Sequence, residues 1–513
     1  MRNAFSSLFT QRALARMLPA LLLLILAGCA TAPPSKVGDM PVEYPTEWTA
    51  DAVDEETLEN VSPETYGGGW LLDFEDPVLM DLVYRAQVRN YDLQAASARL
   101  GVAEAEAFIA GADLYPQVSG GLDGTRQKQN FSAQGFGDAI QSSTFNNYRL
   151  TANVSWELDV WGRVRDGQSA AIGDAQAAAA DLQGARQSLA ANTATLWFNT
   201  IEARLQLELA ENTWDSFEKT TRSIQRRFES GVSPALDLRL SKAQTASALA
   251  AVELRKNNLD SSKRDLEVLL GDYPAGTIEA APDLPDLNQP VPVGLPSELL
   301  ERRPDLIAAE RRLASTDKRI TEAKKAFLPA ISLTGSYGTT STQLENLLDN
   351  SFSVWSIAGN LLQPIFQGGR LTGALERARA AALEALANYG QSALDAFNEV
   401  EKALASERFL DSRLEALHVA SIENAAAEET AWQRYERGLT DIITVLESQR
   451  RAFESHSAYI EARNLRLINR VNLYLALGGD FGPTPDQVVA TVNTPFSSEQ
   501  FPSPESTKET SKE

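Results

Sequence analysis

The chain has 513 residues, with 47 lysines and arginines against 69 aspartates and glutamates, a net charge of −22, two histidines and one cysteine. That balance argues against a nucleic-acid partner, and a single cysteine excludes disulfides within the chain, CxxC metal sites and a cysteine–histidine nucleophile. With no Gly-rich phosphate loop and no G-x-S-x-G elbow, the sequence offers no catalytic constellation and no site for a metal or cofactor.

Residues 1–28 read as a secretory signal, with Arg2, Arg12 and Arg16 as a basic start and an apolar run from Leu18 to Leu26. The run is shorter than the roughly 20 apolar residues of a membrane-spanning helix. It leads into Leu26-Ala27-Gly28-Cys29, which resembles the bacterial lipobox. In that motif the cysteine is acylated and becomes the mature N-terminus, and Ala30 in place of aspartate implies export to the outer membrane. Loss of residues 1–28 removes three arginines and no acid, leaving a charge of −25. An oligomer of such chains carries a negative field that biases ion passage toward cations. Residues 29–75, rich in proline, threonine and acids, read as an extended tether behind the lipid.

From residue 76 the sequence is written twice. Gly162-Arg163 is followed 69 positions later by Gly231 and a further 40 positions on by Gly271. Shifted by 207, the same marks recur as Gly369-Arg370, Gly438 and Gly478. Repeat one covers 76–272 and repeat two 304–480, separated by a proline-rich crossover with a short helix at 273–303, which Ser297 is placed to cap. Residues 481–513 read as a disordered tail.

Each repeat opens with a shorter helix, from about Pro77 to Asp113 and from Pro304 to Leu328. Strands follow. Tyr148, Leu150, Ala152, Val154, Trp156 and Leu158 alternate with polar residues, the period-two pattern of a strand with one apolar face. Gln117 to Arg126 makes a weaker partner. In the second repeat Ile331, Leu333 and Tyr337 alternate likewise, and Phe352 to Leu362 shows a phase switch that predicts a bulge near Trp355. No proline lies between Pro116 and Pro234 or between Pro364 and Pro483, so each tract is open to helix throughout. A helix filling the 69-residue interval is about 100 Å long at ~1.5 Å per residue. Leu182, Leu189 and Leu196 at sevens, and Phe397, Val400, Leu404, Leu410, Leu414 and Leu417 at threes and fours, mark a coiled-coil seam. His418 and His456 read as solvated residues on helix faces.

Four strands cannot close a barrel, and open edges in lipid leave unpaired backbone groups at several kcal/mol each. If the strands span a membrane, several chains must share one barrel. The duplicated pattern resembles the TolC/OprM/NodT outer-membrane efflux family across nearly the whole mature chain. The resemblance rests on Asn90 to Leu93, Ala112 to Pro116, Ala326 to Pro329, Trp156 to Arg163 and, above all, Gly294 to Asp305 with its Arg302-Arg303-Pro304-Asp305. It implies a mixed α and β membrane protein in which three chains contribute four strands each to a 12-stranded outer-membrane β-barrel, continuous with a long periplasmic α-helical barrel. It implies a passive exit duct for drugs or other small toxic solutes, a homotrimer working with a periplasmic adaptor and an inner-membrane transporter of the resistance-nodulation-division type. The one covalent group implied is the lipid on Cys29.

The resemblance also assigns roles. Ile443 and Glu447, one turn apart on one helix face, fall at the pore constriction, where three isoleucines dewet the pore and three carboxylates oppose anions. Thr444 stands where some relatives have a second acid. Asp237 and Tyr435 correspond to residues that hydrogen-bond between tip helices and latch the closed state. The turns Gly231, Val232 and Ser233, and Gly438, Leu439 and Thr440, form the periplasmic tip where the adaptor docks. Two other functions stay open on the residues alone: a type I protein-secretion duct, and a lipid-anchored coiled-coil scaffold, which leaves the alternating strands unexplained.

Overall fold

The computed structural model describes residues 30–39, 69–130, 142–287 and 299–479. Cys29, the signal segment, Ser297 and the C-terminal tail lie outside them. In chain order the elements are α1 (Pro77–Arg89), α2 (Tyr91–Ala112), β1 (Gln117–Asn130), β2 (Ser142–Leu158), α3 (Arg163–Glu229), α4 (Ala235–Leu269), α5 (Leu299–Arg302), α6 (Pro304–Lys325), β3 (Ala330–Ser341), β4 (Ser353–Leu362), α7 (Arg370–Glu436) and α8 (Ile442–Ala476). The two long helices have 67 residues each, which at ~1.5 Å per residue is about 100 Å. Both shorter partners, α4 and α8, have 35. No helix among the described residues is long and apolar enough to cross a membrane. The chain divides into two compact units, and each long helix contributes to both.

The first unit takes in Met1–Met40, Gly101–Ala178 and Ala309–Tyr389. It holds a four-stranded antiparallel sheet of order β1-β2-β3-β4. Register is unbroken along all three ladders, so no bulge occurs at Trp355. Trp355, Ile357 and Leu361 share the face of Tyr337 and Ile331, as the pairs Tyr337↔Trp355 and Ile331↔Leu361 require. The apparent phase switch comes from Val354, which stands on the polar face opposite Gly338. β1 and β4 are each paired along one side only. At the strand–helix junction, Trp156 donates Nε1 to the Leu114 carbonyl at 2.9 Å and Trp161 to that of Pro329 at 2.8 Å. Asp159 accepts from the backbone N–H groups of Val164 and Arg165, both at 3.0 Å, and so caps α3. Part of the predicted tether is packed here. The Thr31 carbonyl accepts from Ser169 Oγ at 2.7 Å, the Pro33 carbonyl from Arg311 at 3.1 Å, and Lys36 pairs with Asp317 at 2.6 Å.

The second unit takes in Pro41–Leu100, Ala179–Ala308 and Gly390–Glu513. Its core joins Leu79, Leu82 and Val83 of α1 to Leu182, Leu189, Trp197, Phe198 and Ile201 of α3, with Leu266 of α4 and Leu467 and Val471 of α8. The predicted heptad leucines Leu182 and Leu189 are buried there. So is Phe74, in the 3-10 turn Trp70–Phe74 that the sequence placed at the end of the tether. Its aromatic neighbours explain the difference. Trp70 stacks on Tyr474 with ring centroids 5.7 Å apart, and Phe74 lies 5.1 Å from Phe198.

The helix predicted from Pro77 to Asp113 is two helices, broken at Asn90. The Asn90 side chain accepts from the Leu93 N–H at 2.9 Å and donates to the Leu269 carbonyl at the end of α4, also at 2.9 Å. In the second repeat Arg303 donates to the Ala476 carbonyl at 2.9 Å. Leu269 and Ala476 are 207 positions apart, and Asn90 and Arg303 are 213 apart. The six-residue difference is the extra length of the first hairpin. Thus α2 and α6, 22 residues each, are the matching helices. Each has its N-terminus fastened, by one polar side chain, to the C-terminal end of the 35-residue helix that closes its own repeat.

Candidate functional site

The predicted tip residues belong to the second unit and come together there. Both long helices end in a left-handed glycine, Gly231 at φ 75° and Gly438 at φ 71°. After each, the chain bonds back: Val232 N–H to the Arg227 carbonyl at 2.8 Å, and Leu439 N–H to the Arg434 carbonyl at 2.9 Å. These six-to-one bonds satisfy end carbonyls that a helix leaves open, and a residue with a Cβ adopts that backbone only at a cost. Nothing lies within 4 Å of where a Cβ would sit on either glycine. Steric room is therefore ample, and the backbone alone demands glycine. Val232 and Leu439 are exposed, at 65% and 67%, and Ser233 and Thr440 are half-buried.

Beneath the turns a small apolar cluster joins Ile224 of α3, Ala431 and Tyr435 of α7, and Ile442 and Val445 of α8. Ile442 and Ile443 are adjacent and opposite in fate: Ile442 is 1% exposed and Ile443 is 58% exposed. Asp441 caps α8 by accepting from the Thr444 N–H at 2.9 Å and from its hydroxyl at 2.8 Å. That places Thr444 in a helix cap and leaves Ile443 and Glu447 on an outward face one turn apart.

Glu447 is held by cations of its own helix. Arg450 reaches its carboxylate at 2.7 and 3.0 Å, and Arg451 at 2.8 Å. These hydrogen bonds, first from Arg450 and then from Arg451, lower its pKa to about 2. Neither arginine figured in the sequence prediction, although their spacing at three and four residues is the signal for such pairs on a helix.

Asp237 and Tyr435 are not bonded to each other within the chain. The Tyr435 ring is 5% exposed and its hydroxyl is buried with no hydrogen-bond partner. Arg227 instead covers the ring, its guanidinium carbon 4.9 Å from the centroid. Asp237 is half-buried in the first turn of α4, and burial followed by the nearby Asp441 carboxylate raises its pKa. A buried phenol without an acceptor is a costly arrangement for an isolated chain.

The two histidines, expected as independent solvated residues, converge on Tyr459, with ring centroids 5.1 Å away for His418 and 6.3 Å for His456. His456 Nδ1 bonds the Ser421 hydroxyl at 2.9 Å, and burial lowers its pKa. No cluster of three or more metal-ligating side chains occurs among the described residues.

A family model described as outer membrane efflux protein matches the chain twice, over residues 82–272 and 295–479, one match for each repeat. The toluene efflux pump outer membrane protein TtgF of Pseudomonas putida is 31% identical over 431 residues, covering 83% of this chain and 88% of its own. The cation efflux system protein CusC of Escherichia coli O6:H1 is 29% identical over 469 residues, covering 90% of this chain and 98% of its own. The solved outer-membrane channel OprN superposes with a TM-score of 0.79 at 28% identity, covering 89% of this chain and all of that one. The chain therefore belongs to the outer membrane efflux protein family, as an outer-membrane exit duct of mixed α and β fold rather than an enzyme.

Proposed function

We propose that three copies of this chain form the outer-membrane duct of a tripartite pump, joining four strands each into a 12-stranded barrel. The observation that carries this is the sheet: four bulge-free strands with an apolar face, and both outer strands paired on one side only. In lipid such edges are satisfied by closure alone, and β4 of one copy meeting β1 of the next closes it. Cys29 carries the lipid that anchors the assembly. The glycine turns, with Val232, Ser233, Leu439 and Thr440, receive a periplasmic adaptor that links the duct to an inner-membrane transporter of the resistance-nodulation-division type. The cargo is a small solute, in keeping with relatives named for toluene and cation efflux. Heat-modifiable, SDS-resistant trimers in the outer-membrane fraction, labelled by palmitate only when Cys29 is present, are the expected result. A monomeric or periplasmic protein refutes the reading.

Ile443 and Glu447 form the constriction, and Tyr435 with Asp237 latches it. The Tyr435 hydroxyl has no acceptor within its own chain, which supports a latch in which the ring turns outward to meet Asp237 of a neighbouring copy. Single-channel recordings test it: Tyr435→Phe and Asp237→Ala open more often than wild type, and wild-type closure in both rejects the latch.

A further inference from the structure

Glu447 is one member of a charged column. Arg450, Arg451 and Glu454 follow it by three, four and seven residues, and at 3.6 residues per turn all lie on the face that carries Ile443. Arg450 grips both oxygens of Glu447 with Nε and Nη2, at 3.0 and 2.7 Å, and turns Nη1 to Glu454 at 2.5 Å. Arg451 Nε adds a third bond to Glu447 at 2.8 Å. The face thus carries two positive and two negative charges. In the first repeat the positions 207 residues earlier are Leu236, Leu240, Ala243, Gln244 and Ser247. None is charged, so the carboxylates and their two arginines occur together and only after the second turn.

We propose that Arg450 and Arg451 set the charge selectivity of the constriction by neutralising the Glu447 ring, so that anionic and zwitterionic solutes pass as well as cationic ones. This rests on the placement of Ile443 and Glu447 at the constriction. Three bare carboxylates in a narrow mouth repel anions. With both arginines beside each carboxylate, and Glu454 beside Arg450, each chain contributes no net charge to the column, and the repulsion vanishes at a distance of a few ångströms. The arginines also support the helix through pairs at three and four residues, which is a minor effect. That role leaves ion selectivity untouched, so selectivity separates the two.

The test is the reversal potential of the full-length protein in planar bilayers under a potassium chloride gradient, read as the potassium-to-chloride permeability ratio. Arg450→Gln combined with Arg451→Gln exposes the carboxylates, and the ratio is expected to rise about threefold or more. Glu447→Gln exposes the arginines, and the ratio is expected to fall by a similar factor. Arg450→Lys with Arg451→Lys keeps the charge and is expected to keep the wild-type ratio. If Glu447→Gln shifts the ratio and the double glutamine variant does not, the arginines are not the determinant and the proposal fails while the constriction stands. If neither shifts it, the constriction itself lies elsewhere. A lysine variant that behaves like the glutamine one overturns charge neutralisation in favour of guanidinium geometry.

Discussion

Removing the Arg470 guanidinium should destabilise the second unit more than any surface change. Arg470 is 2% exposed and gives Glu407 a bond of 2.8 Å, and Glu407 is itself buried. Breaking a buried ion pair from one side costs about 3–5 kcal/mol, because the other charge is left without its partner. Glu407 keeps two further donors, Asn469 at 3.0 Å and Arg466 at 3.4 Å, which places Arg470→Met at the lower end. A loss of about 3 kcal/mol lowers a melting point by roughly 6 °C or more in a unit of this size. Calorimetry in detergent measures it. Arg470→Met combined with Glu407→Leu should recover most of the loss, since no unpaired buried charge remains. Asn469 still has the Ala403 carbonyl at 3.0 Å and Arg466 still has Asp411 at 3.0 Å. A single variant that melts with wild type, or a double variant as labile as the single, refutes this account of the network.

Gly438→Ala meets no atom within 4 Å, so its cost is that of the left-handed backbone alone, about 1–2 kcal/mol. Amide exchange near the turn is expected to speed up about 5- to 30-fold while the rest of α7 is unchanged. In the sheet, a Cβ on Gly338 would lie 2.0 Å from the Leu150 carbonyl oxygen, whereas one on Gly335 has nothing closer than 3.8 Å. Gly338→Ala should therefore abolish heat-modifiable migration on gels, and Gly335→Ala should retain it. Burial depresses the His456 pKa below its ordinary 6.5, so the unfolded chain binds the proton more tightly and stability falls as pH drops through about 6.5. His456→Gln is expected to flatten that part of the melting-point profile. Glu447, ionised down to about pH 2, contributes nothing to it.

The sequence alone determined the features that depend on local chemistry and spacing. Proline-free tracts between glycine marks became two helices of equal length, because a helix needs only an uninterrupted backbone and a stop signal. Alternation located all four strands, and glycines with no competing explanation became left-handed turns. The tertiary structure decided whatever required a partner distant in the chain. The break at Asn90 has a local part, the cap Asn90 gives to Leu93, but the tie from Asn90 to the Leu269 carbonyl, 179 residues away, cannot be seen in its neighbours. The supposed bulge at Trp355 dissolved because the β3–β4 ladder keeps an unbroken register with Val354 opposite Gly338. Ile442 and Ile443 are the same residue type side by side. Packing against Ile224 and Tyr435 buries the first and leaves the second facing out. Glu447 is a different case: it read as a free acid although its partners lie only three and four residues further on, a spacing the sequence carries. Its environment is fixed by rotamers on one helix face, where Arg450 and Arg451 close on it. Short-range terms write the ruler of this chain and pair Glu447 with Arg450 and Arg451, whereas contacts between residues far apart in sequence had to wait for the fold.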